Sequence, residues 1–322
     1  MFYAIRHFTR YRYSRPVWQS VMEVRMQPRS ENTQRCFTFQ LSVGPRARIS
    51  SYTDHCGNII HHFDIPERHE QLTIISDTLV DVDAPIDVPA SLGSNAWNEL
   101  DELVEREDYW DMLMPSHFAR TSPELEALGR ELRLDRRNGE DPLALLRKLN
   151  SDLYQTLAYE KATTSVDSPI EHALATRRGV CQDFAHIMIA LVRDQRIPCR
   201  YVSGYLYHDE THEDRSAEGA SHAWVEALLP GLGWVGFDPT NNLIAGERHI
   251  RTAIGRDYAD VPPTKGILKG RAQTDLQVRV RVTPSDAVLP PDQEFAADEE
   301  WSRFLATDKE EELRQAQAQQ QQ

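Results

Sequence analysis

The spacing of apolar residues divides the chain into two textures. Through residues 1–85, apolar and aromatic side chains alternate with polar ones in YAIRHFTRYRYS, SVMEVRMQP, CFTFQLSV, HCGNIIHHF and LTIISDTLVDV. A period of two puts one set of side chains on one face of a strand, so these runs predict a row of short strands. Gly57-Asn58 between two such runs predicts a hairpin turn. Residues 84–95 carry prolines and little pattern. The period then lengthens to that of helices. SPELEALGRELRL starts on Ser122-Pro123 and DPLALLRKLNSDLYQTLAY on Asp141-Pro142, with Leu143, Leu145, Leu146, Leu149 and Leu153 at helical spacing. SPIEHALATRRG repeats the start at Ser168-Pro169 and is expected to end on Gly179. Strand texture returns in PCRYVSGYLY, HAWVEALL and WVGFDPT, and LQVRVRV, Leu276 to Val282, alternates strictly.

This order predicts an α+β chain in which an antiparallel β-sandwich domain precedes a core whose helices pack on an antiparallel sheet. The expected division is a β domain at 1–85, a linker at 86–100, a core at 101–285 and a tail at 286–322. The 322 residues have room for two domains, and a chain of that length buries a core without covalent staples.

Charge narrows the function classes. The net charge of -14 argues against nucleic acid as a partner. Residues 284–322 hold ten Asp and Glu against three Lys and Arg and finish in QAQAQQQQ, the composition of a solvated tail. The longest apolar run, Ile187 to Val192, is too short to span a bilayer, and MFYAIRHFTRYRYSRP lacks the apolar centre of a secretory signal. The expectation is a cytoplasmic chain with no membrane partner and reduced thiols. Four cysteines, Cys36, Cys56, Cys181 and Cys199, do not make a disulfide framework.

One cysteine stands where chemistry favours it. In RRGVCQDFAHIMIALV, Cys181 opens an apolar helix whose Phe184, Ile187, Met188 and Leu191 form a stripe. Unpaired N–H groups and the positive end of the helix dipole favour thiolate there, and Gly179 permits an unusual backbone angle or close approach of a substrate. The alternative is a small buried hydrophobe, which is what many free cysteines are. A nucleophilic cysteine needs a base. His186, five residues on, points about 140° around the helix and faces elsewhere. His222 starts HAWVEALL, whose His222, Trp224 and Glu226 share a face. PGLG then turns the chain into WVGFDPT, with Trp234, Gly236 and Asp238 on one face. In such a hairpin His222 and Asp238 lie at one end, offset by at most a residue or two. The carboxylate can then orient the ring toward a thiol. Trp224 and Trp234 flank the pair, either walling a cleft or packing.

RRGVCQDFAHIMIALVRDQRIPCRYVSGYL followed by SHAWVEALLPGLGWVGFDPTNN resembles the transglutaminase-like superfamily, in order and spacing, over residues 168–245. The first 85 residues are similar to the N-terminal β domain of its bacterial members, and AIGRDYADVPPTKGIL to a segment after the core. The resemblance implies a papain-like core with Cys181 as nucleophile, His222 as base and acid and Asp238 as orienter. It implies no cofactor, and no counterpart of the animal enzymes' calcium sites is identifiable. The oxyanion would use the Cys181 N–H and one side-chain donor, for which Tyr159 is a candidate.

The remaining clusters point elsewhere. His55, Cys56, His61, His62 and His69 fit no zinc spacing, and adjacent His61 and His62 point to opposite strand faces, so no metal is expected. Ser221 is not in a G-x-S-x-G elbow and no Walker loop is present. The expected function is a cysteine enzyme hydrolysing a peptide, isopeptide or other amide bond. The alternatives are a protein-glutamine transglutaminase with an amine acceptor, and a non-catalytic binding module. The triad separates neither substrate identity nor oligomeric state.

Overall fold

In the computed structural model, which describes residues 1–84, 87–106, 108–161, 168–209 and 211–286, two large sheets, a two-stranded one and a bundle of helices share one chain. The N-terminal strands are β1 (Phe2–Val24), β2 (Gln34–Gly44), β3 (Ser50–Thr53), β4 (Ile59–Ile65) and β5 (His69–Val82). The helices follow as α1 (Ala96–Arg106), α2 (Trp110–Leu113), α3 (Pro123–Glu131) and α4 (Pro142–Thr156). Then come β6 (Ala158–Tyr159), α5 (Ile170–Thr176), β7 (Arg178–Gly179) and α6 (Cys181–Asp194). The chain ends in β8 (Cys199–Leu206), β9 (His222–Leu229), β10 (Gly233–Asp238), β11 (Leu243–Ile244), β12 (His249–Gly255), β13 (Thr264–Lys269) and β14 (Thr274–Ser285).

Local chemistry fixes the helix starts. Ser122 accepts from Leu125 N–H, Asp141 accepts from Leu143 and Ala144 N–H, and each is followed by proline at the first helical position. Helix α5 stops earlier than its sequence suggests. Arg177, not Gly179, takes the left-handed conformation (φ 56°), and Gly179 becomes part of β7. The Gly57 turn forms as expected, with φ +78° and its N–H on the Asp54 carbonyl at 3.0 Å.

The core sheet runs β11-β10-β9-β8-β12, antiparallel throughout. Helix α6 packs on β8 and β9 and is buried from Gln182 to Arg193, all round rather than along one stripe. Its buried Arg193 donates to the carbonyls of Met112, Met114, Cys199 and Arg256 and to Ser116 Oγ, so the charge is satisfied by fixed dipoles.

The other sheet does not end at residue 85. Strands β13 and β14 return from the far end of the chain to pair with β1, β14 through twelve residues in register from Tyr13↔Thr274 to Phe2↔Ser285. The sequence assigned this stretch to the core, because alternation shows that a strand exists but not which partner it finds. The two regions are sewn together by side-chain amides. Gln34 donates to and accepts from the backbone of Arg251, and Asn58 does the same with Ile254, each at 2.8 Å. They cover the outer edge of β12 as another strand would. Tyr3, Ile5, Val80 and Val280 on one side and Tyr205 and Ile250 on the other close the seam. The tail expected at 286–322 lies, from residue 287, outside the described residues.

Candidate active site

Cys181 is the first residue of α6 and half-buried. Its backbone N–H belongs to the first turn, where no helical carbonyl is available. Asp183 folds back to accept from the Val180 N–H at 2.8 Å and holds the entry to the helix. That explains Gly179. A Cβ there would lie 2.7 Å from Asp183 Oδ2 and 2.8 Å from its Cβ. The close approach is made by Asp183, not by an unusual backbone angle, since the φ of Gly179 is not positive.

His222 begins β9 and Asp238 ends β10. The register pairs Trp234 with Leu228 and Gly236 with Glu226, which sets Asp238 two residues from His222 along the facing strand. The side chains bridge this offset, with His222 Nε2 2.8 Å from Asp238 Oδ2. Trp224, fully buried, lies roughly parallel to the His222 ring, with centroids 6.1 Å apart. It fits because Gly204, opposite His222 in β8, has no side chain; a Cβ there would lie 2.7 Å from the Trp224 ring. Packing is therefore the role of Trp224. Trp234 lies under the Arg200 guanidinium, 4.2 Å from its centroid.

Asp238 is wholly buried and surrounded by donors. Oδ1 accepts from Thr240 N–H (3.0 Å) and Asn241 N–H (3.3 Å). Oδ2 accepts from Asn241 Nδ2 (2.8 Å) as well as His222, and lies 3.3 Å from His249 Nε2. Burial would raise the carboxyl's pKa. The charge and hydrogen bond of His222, with the bond from His249, overcome that and hold it well below the usual carboxylate range. Burial likewise pushes His222 toward its neutral form. The Asp238 carboxylate, its hydrogen bond and the adjacent Cys181 side chain outweigh burial and raise the ring to about 10. With Nε2 on Asp238, Nδ1 is left for the thiol.

The sequence reading missed His249. Its Nδ1 accepts from Gly246 N–H at 3.2 Å, which puts its proton on Nε2, facing Asp238. Nothing in RHIRTAIG distinguishes this histidine from eleven others. The signal exists only once β12 lies beside β8. His222, Asp238 and His249 bring three ligand atoms within 4.8 Å of one another, but those atoms already serve one another, so a cation would have to displace N–H protons. The other group of this kind among the described residues is Asp54, His55 and Cys56, where Asp54 accepts from Cys56 and Asn58 N–H in a turn.

Tyr159 lies close enough for the Cys181 charge, after burial, to raise its pKa, and its hydroxyl accepts from Ala217 N–H at 3.2 Å. Its own proton is then free to donate. His186 is a core histidine. It stacks on Phe118 and accepts from Tyr258 N–H, and burial lowers it to about 3. Residues 256–260, after β12, form a turn closed by the Arg256–Asp260 ion pair at 2.9 Å.

Residues 3–81 match the family model of the bacterial transglutaminase-like N-terminal region, and residues 130–239 that of the transglutaminase-like superfamily. An uncharacterised protein of Mycobacterium leprae (strain TN) is 34% identical over 278 residues, covering 86% of this chain and 96% of its own length. The chain belongs to the transglutaminase-like superfamily. An uncharacterised protein of Mycobacterium tuberculosis (strain H37Rv) is also 34% identical over 297 residues, 88% of this chain and 92% of its own. A protein-glutamine gamma-glutamyltransferase of Pseudomonas aeruginosa is 28% identical over 163 residues, 47% of this chain and 24% of that protein. A solved structure described as a putative cysteine protease from Cytophaga hutchinsonii superposes with a TM-score of 0.69 at 21% identity, covering 89% of this chain and 92% of that one. That likeness is one of fold, and it places the core among papain-like α+β folds.

Proposed function

We propose that this chain is a cysteine-dependent acyl-transfer enzyme that hydrolyses a peptide, isopeptide or other amide bond. The observation that carries the reading is the His222 ring, held by Asp238 at 2.8 Å on one nitrogen and turned by the other toward Cys181 at a helix N-terminus. The sulfur attacks the substrate carbonyl and pushes the electron pair onto its oxygen. The Cys181 backbone N–H and the Tyr159 hydroxyl supply two donors for that oxyanion. As the C–N bond breaks, the imidazolium of His222 gives its Nδ1 proton to the leaving amine. A thioester remains. Neutral His222 takes a proton from water as it attacks, and the acid leaves with Cys181 restored. Asp238 stays ionised throughout and fixes the tautomer of His222.

A second reading replaces water by an amine, and the relative named as a protein-glutamine gamma-glutamyltransferase favours it. The thioester is common to both. Profiling against a panel of amides, with and without a primary amine, separates them by whether the amine is incorporated. Cys181→Ala should abolish turnover of every substrate found. Turnover at the wild-type rate in that variant would refute the cysteine-enzyme reading, and a wild type that turns over none of the panel would leave the binding-module reading.

A further inference from the structure

We infer that Asn241 is a positioning residue that ties the Asp238–His222 pair to the Tyr159 hydroxyl, an inference that rests on the catalytic reading above. Its side chain fits in one orientation only. Oδ1 accepts from Arg215 N–H at 2.8 Å and from Ser216 N–H at 3.0 Å. Nδ2 donates to Asp238 Oδ2 at 2.8 Å and to Ser216 Oγ at 3.0 Å. The backbone N–H groups can only donate and the carboxylate can only accept, so a flipped amide would set donor against donor and acceptor against acceptor. A carboxylate or an apolar side chain at 241 would leave at least one side of this junction without its partner.

The amide joins segments that are distant in sequence. Asp238 ends β10 and Asn241 follows it, whereas Arg215 and Ser216 lie in the long connection between β8 and β9. The next residue of that connection, Ala217, donates its N–H to the Tyr159 hydroxyl at 3.2 Å. Tyr159 is paired through β6 with Gly179, two residues before Cys181. A long connection has many conformations unless specific bonds select one. Here consecutive residues are pinned, Arg215 and Ser216 on Asn241 and Ala217 on Tyr159. The Arg215 side chain adds a further hold at the end of α4, where Nη1 donates to the Tyr154 carbonyl at 2.6 Å and the guanidinium lies 3.3 Å from the Tyr154 ring centroid. The Ala217 N–H fixes the Tyr159 oxygen, so the proposed oxyanion donor is placed through the same amide that holds the acid. A misplacement of about 1 Å at either group is enough to slow the reaction severely.

The test is a double-mutant cycle on the full chain, with p-nitrophenyl acetate as substrate and the rate of Cys181→Ala subtracted. Asn241→Ala should lower kcat about 10–10²-fold and change KM less than about threefold, as loss of a supporting partner does. Tyr159→Phe should cost about 10²-fold in the wild type but less than about tenfold beside Asn241→Ala, because a hydroxyl no longer held is already out of place. A residue that only stabilised the fold would lower Tm and leave the two losses independent, so Tm is read for each variant and the assays are run below it. Asn241→Ser, whose hydroxyl reaches one side of the junction at most, takes the place of Asn241→Ala in the cycle if that chain does not fold. Independent losses, an unchanged kcat in the Asn241 variant, or no loss on Tyr159→Phe overturn this inference while the catalytic reading stands. Wild-type turnover no higher than that of Cys181→Ala removes the catalytic reading and this inference with it.

Discussion

Replacing Asp238 by Asn probes the centre of the proposed site with one atom. The carboxylate faces only donors: two backbone N–H groups on Oδ1, and Asn241 Nδ2, His222 and His249 around Oδ2. An amide has one acceptor and one donor end. The two backbone N–H groups cannot turn over, so the amide oxygen stays on them and its NH2 meets Oδ2's former partners. His222 can accept from that NH2 only by moving its proton to Nδ1, where it faces the thiol. The ring becomes neutral and carries its proton on the nitrogen that must receive one. The expected loss of turnover is about 10²–10⁴-fold, following the tautomer argument for hydrolytic triads. Alkylation of Cys181 by iodoacetamide at pH 6, where an ordinary thiol is nearly all protonated, should slow at least tenfold. The stability cost follows from His222, raised from 6.5 to about 10 in the fold. At pH 7 that shift is worth at most about 4 kcal/mol, from 1.36 kcal/mol per pKa unit. Breaking a buried pair costs roughly 3–5 kcal/mol, so a fall in Tm on the order of 10 °C is expected. The sign gives a second check. Wild-type stability from His222 is fully present below 6.5 and is lost as pH rises through about 10. That from Asp238 is present above 3.8 and is lost as pH falls through its depressed folded value. The Tm difference between wild type and Asp238→Asn should therefore be largest between these limits and shrink beyond either. A variant that turns over within tenfold of wild type, with a pH-independent Tm difference, would refute this account.

Burial raises Cys36, Cys56 and Cys199 to about 11, so brief iodoacetamide treatment near pH 6 followed by mass spectrometry should label Cys181 alone. Gly179→Ala should push Asp183 off the Val180 N–H and lower stability by about 2–4 kcal/mol, read as a lower Tm, with overpacking and the lost cap adding. Restoring the space with Gly179→Ala plus Asp183→Ala should recover part of it. Tyr159→Phe keeps the ring but removes the donor, and should lower kcat about 10²-fold with little change in Tm; an unchanged kcat would assign the second oxyanion donor elsewhere.

The legible parts of this chain are those fixed by neighbours in sequence. Ser122-Pro123 and Asp141-Pro142 mark helix starts because their bonds close within three residues. HAWVEALL, PGLG and WVGFDPT bring His222 to Asp238 because a hairpin is local, and even the two-residue offset lies within what a turn permits. His249 reaches Asp238 only through β8, and β14 reaches β1 across some 270 residues, so neither contact leaves a periodic trace. The buried charge of Arg193 is invisible for the same reason. Its five partners lie on three separate segments, residues 112–116, Cys199 and Arg256. Gly179 is legible in position but not in cause, because a pattern shows that a side chain is missing but not what fills its place.

The return of β13 and β14 to β1 also sets an order of assembly. Synthesis delivers β1 before its partners, and its sheet stays incomplete until residues 264–285 have followed. The whole helical core is an insertion between β5 and β13. Its own hairpins and helix contacts are short-range and can form while that seam is open, whereas closing β14 on β1 must draw together ends separated by nearly the whole chain. Until then β1 is a 23-residue strand whose Tyr3 and Ile5 lack the cover of Val280 on one face. Aggregation of nascent or truncated chains should therefore begin at β1, and a polypeptide cut before residue 264 should be lost to it.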